Sequence, residues 1–593
     1  MRSSAYRSRR GDGRLKPTWS SLVKAPGLVG DIRAQFRNDI CQEITLTIRR
    51  MYQGACAVIV AAASLVGCSE SNGKASGGGG SGSPDGLTTT NVFGKAAGDL
   101  DTLKWDVPDG EPTSLSPIFA ANFSGQAILA NLCDQLLVQD ADYKISPHLA
   151  KATQVNDTTV TLDVVEKAKF WDGKPVTAED VVFSLKQQMR PDAQFGFAFK
   201  SVSSISETGA RQVTVKFKKP DELFVKELAS PIGMVWQKDY AEAKGAAYGT
   251  AGGGLMCSGP FELGKWNQGR SMTLTRNDAY WNPTYRAHAK QVELSFVTDT
   301  AALTQGLLAG EFDGAWNVRP SQVDALKGGD KGSLVVGDSL AQTMVSFANA
   351  GGVTGNPDLR RAILGSIDRE AIGEKVFKGT ADPSYTVVAP NYWDEGATAV
   401  YEKAYGPYEK SNKLTVEQAK KLVESSGYKG QTLKLAYPSG DATQSLLSQI
   451  IQEQLAGIGV KVKIISMEPL AFLTATYTPS QRRSLDLMMM GNYGYAKDPL
   501  EFITFFLGPD ETYNWTDFSD PEVTAGLTEA RATFDAEKRA EILVRLQEKW
   551  EAAAPFASFL MPKELTYVKN GIGGVVTSGA YLNLPSLALI GTK

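Results

Sequence analysis

Histidine is nearly missing from this chain: there are two in 593 residues, His148 and His288. Two isolated imidazoles with no cysteine cluster beside them exclude a dense nitrogen and sulfur metal site. Long apolar runs are missing too. No stretch reaches the roughly 20 residues that a membrane-spanning helix needs. No Gly-rich loop ends in Lys-Ser or Lys-Thr, so the chain has no phosphate cradle for ATP hydrolysis. Positive charge is short in the body. Residues 1–67 hold 11 Lys+Arg and 4 Asp+Glu, which leaves 51 basic and 61 acidic residues for the rest. An acidic body gives no support to nucleic-acid binding, which needs a basic patch.

What is present begins with length. A chain of 593 residues exceeds a single core, so two or more domains or lobes are expected. Hydrophobic residues at 42% and charged residues at 21% are ordinary for a globular protein. Near the start, Arg49-Arg50-Met51 precedes an apolar run from Ala55 to Val66 and then Gly67-Cys68. A basic flank, a short apolar stretch and a small residue at the cut site make a secretory signal. Leu65-Val66-Gly67-Cys68 resembles the bacterial lipobox, in which the Cys is acylated and becomes the mature N-terminus. Residues 68–89 are rich in Ser and Gly, a flexible tether suited to a membrane anchor. The signal occupies 46–67, so residues 1–45 read as an extension from a start site placed too early, with Leu46 as the candidate start. A true N-terminal extension is the alternative.

Five cysteines occur, at 41, 56, 68, 133 and 257. The first two precede the cut site and Cys68 is the candidate lipidation site. Cys133 and Cys257 remain in the mature body, and an oxidising compartment favours one disulfide between them. Two separate buried thiols are the alternative.

The body alternates strand and helix patterns. Val160, Leu162 and Val164 alternate with polar residues, as in a half-buried strand. Asp172-Gly173 makes a turn. Thr177 followed by Asp180 forms a capping box for a helix that buries Val181, Val182 and Leu185. Asn356-Pro357 opens another helix, with Leu359, Ile363 and Ile367 on one face. Thr415 and Gln418 form a second capping box, and Gly427 ends that helix. Residues 433–437, 445–456 and 460–465 read as strand, helix, strand, a βαβ unit.

Several ordered segments carry a family resemblance. Pro147-His148-Leu149-Ala150 and the run from Phe170-Trp171-Asp172-Gly173 to Val181-Val182-Phe183-Ser184-Leu185 resemble the signature region of family 5 extracellular solute-binding proteins. These are the oligopeptide, dipeptide and nickel binding proteins of ABC importers. Matching pieces follow in order: Ser258-Gly259-Pro260-Phe261, Arg276-Asn277-Asp278, Leu307-Leu308-Ala309-Gly310-Glu311, Leu359-Arg360-Arg361, Ile367-Asp368-Arg369, Asp498-Pro499 and Asp520-Pro521-Glu522-Val523. The resemblance implies a two-lobed α/β periplasmic-binding-protein-like fold with an additional domain inserted in lobe 1. Lobe 1 would take residues 90–146, 257–345 and 556–593, the inserted domain 147–256, and lobe 2 346–555.

The resemblance also implies where ligand contacts lie. Counting from Pro117, the cleft-lining extended segment falls on Ala121-Asn122-Phe123, whose backbone would pair with a peptide as an added strand. Counting back from Pro499, the carboxylate that holds a peptide's ammonium falls on Tyr495, and its aromatic companion on Asn492. The anchor is therefore missing where expected, since a phenol carries no charge. Asn492, Tyr493 and Tyr495 form an aromatic and polar cleft wall.

The expected function is capture of a small ligand, a peptide first, outside the membrane, and delivery to the permease subunits of an ABC importer. The protein would act as a monomer held by its lipid anchor, with no cofactor and no nucleic-acid partner. A sugar or metal chelate as ligand, or a surface sensor without transport, are the alternatives. One enzyme motif occurs: Gly337-Asp338-Ser339-Leu340 spells a hydrolase nucleophile motif. That chemistry needs a His base far downstream of its Ser, and both histidines lie upstream, so no enzyme is expected.

Overall fold

The computed structural model describes residues 86–593, with Ala121 and Asp510 left out. The expected extension 1–45, signal 46–67, lipidation site Cys68 and most of the 68–89 tether lie outside the described residues. Lobe 1 begins slightly earlier than expected, because Thr88 and Thr89 already pair with Val335 and Val336.

Three sheets organise the chain. The first has eight strands in the order Thr88–Thr89, Gly332–Gly337, Glu564–Lys569, Gly314–Ala315, Leu100–Asp106, Ala289–Ser295, Ser271–Arg276 and Phe261–Asn267. The second has six, ordered Ala381–Pro383, Phe556–Pro562, Ala341–Phe347, Leu487–Tyr493, Thr432–Pro438 and Lys461–Met467. The third is an antiparallel sheet of four strands between residues 150 and 217, packed against the helix Ala178–Gln188. It interrupts the first sheet in sequence between Leu100–Asp106 and Phe261–Asn267. This is the two-lobed α/β architecture with a domain inserted in lobe 1.

The local signals act as physical chemistry requires. In the strand Thr159–Val164, Val160, Leu162 and Val164 are buried at 0%, 0% and 6% exposure. Thr177 Oγ1 accepts from the N–H of Asp180, and the Asp180 carboxylate accepts from the N–H of Thr177. Two donors left over at the helix start are thereby satisfied. Thr415 and Gln418 repeat the exchange ahead of Val416–Ser425, and Gly427 follows with φ of +75°. The Asn356-capped helix runs Pro357–Gly365, so Ile367 is buried but lies past its end. The strands Thr432–Pro438 and Lys461–Met467 run parallel, with helix Ala442–Gly457 between them.

The lobe boundaries differ from the expected ones. The strand Ala341–Phe347 belongs wholly to the second sheet, between Leu487–Tyr493 and Phe556–Pro562. Lobe 2 therefore spans about residues 341–562 rather than 346–555. Both bounding strands are central and apolar, so no polar linker marks the change of lobe. Each continues into a strand of the first sheet: Gly332–Gly337 precedes one crossing and Glu564–Lys569 follows the other, and these two pair with each other, Gly337 opposite Glu564. A two-stranded ribbon thus runs from one sheet into the other. Lys563 ties the crossings, with Nζ 3.4 Å from Asp338 and 2.9 Å from Asp382. Gly337 is needed there, since a Cβ would lie 2.1 Å from the carbonyl oxygen of Thr577.

The seam between lobe 1 and the inserted domain is pinned twice. Cys133 and Cys257 are joined by a disulfide, with Cα atoms 4.9 Å apart. Beside it, buried Asp134 accepts hydrogen bonds from His148 Nε2 at 2.9 Å, Ser258 Oγ at 2.9 Å, Tyr280 OH at 2.7 Å and Trp281 Nε1 at 2.8 Å. A buried carboxylate needs such a full set of donors. Lobe 2 uses buried guanidinium groups similarly. Arg360 donates to the carbonyls of Thr354, Gly355, Ala553 and Ala554, and Arg369 to those of Ser384 and Ile367.

Candidate functional site

The second sheet brings Asn492 and Tyr493 to the end of strand Leu487–Tyr493, where it meets lobe 1. Gly494 then passes close under a ring: a Cβ there would lie 2.3 Å from Tyr392. This close approach lets the chain turn sharply, and Glu501 holds the turn. Its two carboxyl oxygens accept from the N–H groups of Tyr495 and Ala496, both at 2.7 Å. Burial pushes the Glu501 carboxyl up to about 8, so at neutral pH it is largely protonated.

The turn faces a cavity of about 490 Å³ between the inserted domain and lobe 2. Asn492, Tyr493, Tyr495, Phe505 and Tyr513 line it from lobe 2. The loop from Met189 to Lys200 lines it from the inserted domain, with Arg190, Asp192 and Phe197 facing inward. Phe197 meets Phe505 edge-on across the gap, ring centroids 4.9 Å apart. The hydroxyl of Tyr495 is 3.5 Å from Gln126 Nε2, its carbonyl accepts from Gln139 Nε2 at 2.8 Å, and its ring meets Phe195 at 5.5 Å. Tyr495 thus touches both lobe 1 and the inserted domain.

Each charged side chain lining the cavity has a partner. Arg190 donates twice to Asp192, at 2.9 and 2.6 Å. Lys200 Nζ sits 2.8 and 2.7 Å from the two oxygens of Glu511, reaching from the inserted domain to lobe 2. Glu501 is satisfied by backbone. The wall offers aromatic faces, an amide and paired charges, with no bare ion for a charged ligand.

The expected site residues come only partly together. Asn492, Tyr493 and Tyr495 line the cavity. Phe123 lies behind them, its ring 5.5 Å from Tyr493. The segment around it is not the extended, peptide-pairing strand that was expected. Asn122 is extended, but it caps the helix Phe123–Leu132, with its side chain accepting from Gly125 N–H at 3.0 Å. The N–H of Phe123 is given to Asp109 at 3.1 Å, so it is not free for a ligand backbone. Asn122 is a helix-start residue by type, and Ser-Gly after it hid the helix. Ala121 lies outside the described residues. Asp498, shortly after Tyr495, does not line the cavity. It is fully buried as the cap of Pro499–Leu507, accepting from Leu500 N–H and from Lys226 Nζ at 2.8 Å. The loop 189–200 went unread because its charges and turns look like an ordinary solvated connection. Its Phe195-Gly-Phe197 pair was the available signal.

Ser339 of the hydrolase-like tetrapeptide lies in the lobe crossing, where its Oγ accepts from Ala341 N–H. His148 and His288 are held elsewhere, by Asp134 and Asp99. Among the described residues, no helix is long and apolar enough to cross a membrane.

Comparison with known proteins agrees with this geometry. The family model for bacterial extracellular solute-binding proteins, family 5 Middle, matches residues 144–514. The oligopeptide-binding protein OppA of Bacillus subtilis is 23% identical over 501 residues, covering 79% of this chain and 89% of its own. Among solved structures, the periplasmic binding protein DppA of Helicobacter pylori, in complex with the peptide STSA, superposes with a TM-score of 0.72 at 19% identity, over 84% of this chain and 98% of that one. The Escherichia coli murein tripeptide binding protein MppA gives a TM-score of 0.70 at 20% identity, over 85% and 99%. MppA has also been solved in an unliganded open form. With the two lobes, the inserted domain and the cavity between them, the match over residues 144–514 establishes that this chain belongs to the family 5 bacterial extracellular solute-binding proteins.

Proposed function

We propose that this protein captures a small peptide in the cavity between its inserted domain and lobe 2, outside the membrane, and delivers it to the permease subunits of an ABC importer. The single observation that carries this reading is the cavity of about 490 Å³ walled on one side by the inserted domain and on the other by lobe 2. Its size suits a small ligand, since such sites run to about 300–1,000 Å³. OppA, DppA and MppA are described as binding oligopeptides, the peptide STSA and a murein tripeptide. An unliganded open form of MppA supports lobes that part and close.

The paired charges of the wall narrow the ligand. A ligand with a strong unpaired charge finds no counter-ion, so peptides with a blocked or internally balanced amino end fit best. The same neutral, aromatic wall favours a second reading, an uncharged polar solute such as a sugar. A lipid on Cys68 holds the protein, as a monomer, to the outer face of the membrane; this part rests on the sequence 65–68 alone.

One experiment tests both parts. Intact-mass spectrometry of protein extracted in mild detergent should show a mature chain beginning at an acylated Cys68 and, under native conditions, a retained small molecule. Mature protein without an acyl group removes the anchor. A retained cofactor-like or inorganic species in place of a peptide or polar solute removes the ligand class.

A further inference from the structure

The seam between the inserted domain and lobe 2 holds a second feature, beside the ligand cavity. The short helix Glu222–Glu227, with its cap Asp221, turns four charged groups toward lobe 2: Asp221, Glu222, Lys226 and Glu227. Leu223 between them packs into the lobe 2 core. From lobe 2 they meet Asp394, Asp498, Glu501, Arg531 and Arg539, with the hydroxyl of Tyr401 nearby. Lys226 Nζ lies 2.8 Å from Asp498, 3.0 Å from Asp394 and 3.1 Å from Glu222. Arg539 reaches Asp394 at 2.9 Å and Asp498 at 3.3 Å, and Arg531 donates to Asp221 at 2.8 Å. Six carboxyl groups therefore face three cations. Glu227 is 1% exposed, and its Oε2 has no hydrogen-bond partner among the described residues. A cavity of about 340 Å³ opens onto the cluster, lined by Glu227, Glu501 and Arg531, with Lys200, Lys219 and Glu511 on its outer side.

We propose that this cluster is a latch for lobe closure that takes up protons as it shuts, so that raising the pH favours the open form and weakens ligand capture. The proposal rests on the reading that the lobes close around a ligand. Three cations neutralise three carboxylates; the remaining acids can be buried together only if they are protonated. When the lobes part, these groups meet water and titrate near the ordinary value of about 4.3. In the closed form, burial pushes Glu501 up to about 8 and Glu227 well above its usual range. Glu222 is also raised, by burial and by Asp498, against the pull of Lys226 and Arg539. Between the ordinary carboxylate range and about 8 the closed form holds more protons than the open one. The closed form consequently loses ground as pH rises through that window. The paired half behaves oppositely. Burial alone would raise Asp498, but Lys226 and Arg539 outweigh it and hold the carboxyl low. That contribution is lost only in acid below the ordinary range. Lys226, Arg531 and Arg539 are positioning residues, since none of them lines the ligand cavity.

Small-angle scattering of the full mature chain, freed of bound ligand, tests this at about pH 5, 7 and 9. The expected result is a radius of gyration that grows with pH, with the open-to-closed ratio climbing about tenfold or more across the neutral range, as uptake of at least one proton on closure requires. Glu227→Gln should flatten the profile and Glu227→Gln with Glu501→Gln should flatten it further, while Lys226→Met should expand the protein at every pH. A radius that stays constant from about pH 5 to 9 overturns the latch, and so does a double variant that expands as the parent does. A retained ligand together with a constant radius removes the latch and leaves ligand capture. A pH-dependent radius that the variants abolish, with no retained ligand, does the reverse.

Discussion

At position 495 a phenol stands where the family resemblance implied a carboxylate. The surroundings make that exchange consistent. A carboxylate at 495 would lie beside Glu501, whose oxygens already accept from the 495 and 496 N–H groups. Two acids sharing one desolvated turn would each make ionisation of the other harder. The tyrosine instead fills the gap among Phe195, Gln126 and Gln139 without adding charge. Free and N-acetylated forms of one bound peptide should accordingly differ in affinity by far less than a hundredfold when compared by calorimetry, because no charge-assisted contact is lost. A larger loss would mean that an acidic group reaches the ligand ammonium. Tyr495→Ala should weaken binding of either form, since it removes aromatic area from the cavity wall.

Elements whose reason is local were legible in the sequence. The two capping boxes, the alternating strand Thr159–Val164 and the Asn356-Pro357 helix start each depend on residues a few positions apart. The helix Glu222–Glu227 was not legible. Its charge-rich text, Asp221-Glu222-Leu223-Phe224-Val225-Lys226-Glu227, reads as a solvated face, yet its partners come from residues 394–539, far along the chain. The helix that begins at Phe123 was missed because a cleft-lining strand was carried over by resemblance. Resemblance singled out residues 492–495, which line the cavity, but the facing loop 189–200 needed the fold. The disulfide could be read from cysteine arithmetic, since two thiols remained; its position at the seam could not. It closes a loop with a sequence separation of 124, for which chain entropy gives at most about 4–5 kcal/mol. Reduction should therefore lower the denaturant midpoint of unfolding. Mass mapping of unreduced, unfolded protein should find both sulfurs protected from alkylation, and free thiols there would disprove the bridge.

Over the whole molecule, the two lobes differ in how the chain builds them. Lobe 2 is one uninterrupted stretch, about residues 341–562, with its six strands all drawn from within it. A fragment with those bounds should unfold cooperatively on its own in urea. The first sheet collects strands from residue 88 to residue 569, and Glu564–Lys569 lies between Gly332–Gly337 and Gly314–Ala315 rather than at an edge. A chain ending at Pro562 should therefore keep lobe 2 and lose protection from hydrogen exchange throughout the first sheet, while equal protection in both lobes would contradict this.

That late central strand sets an order of events for a chain that emerges from its front end. The inserted domain and lobe 2 can settle as they emerge, but lobe 1 must wait for the strand Glu564–Lys569. Gly579 accepts the Tyr493 hydroxyl, and Ser578 and Thr577 pack where Ala141 and Gly337 lie. The back of the binding wall is finished by residues that follow lobe 2 in the chain. Both walls of the cavity can therefore form before lobe 1 is complete, and the support behind Tyr493 comes after them.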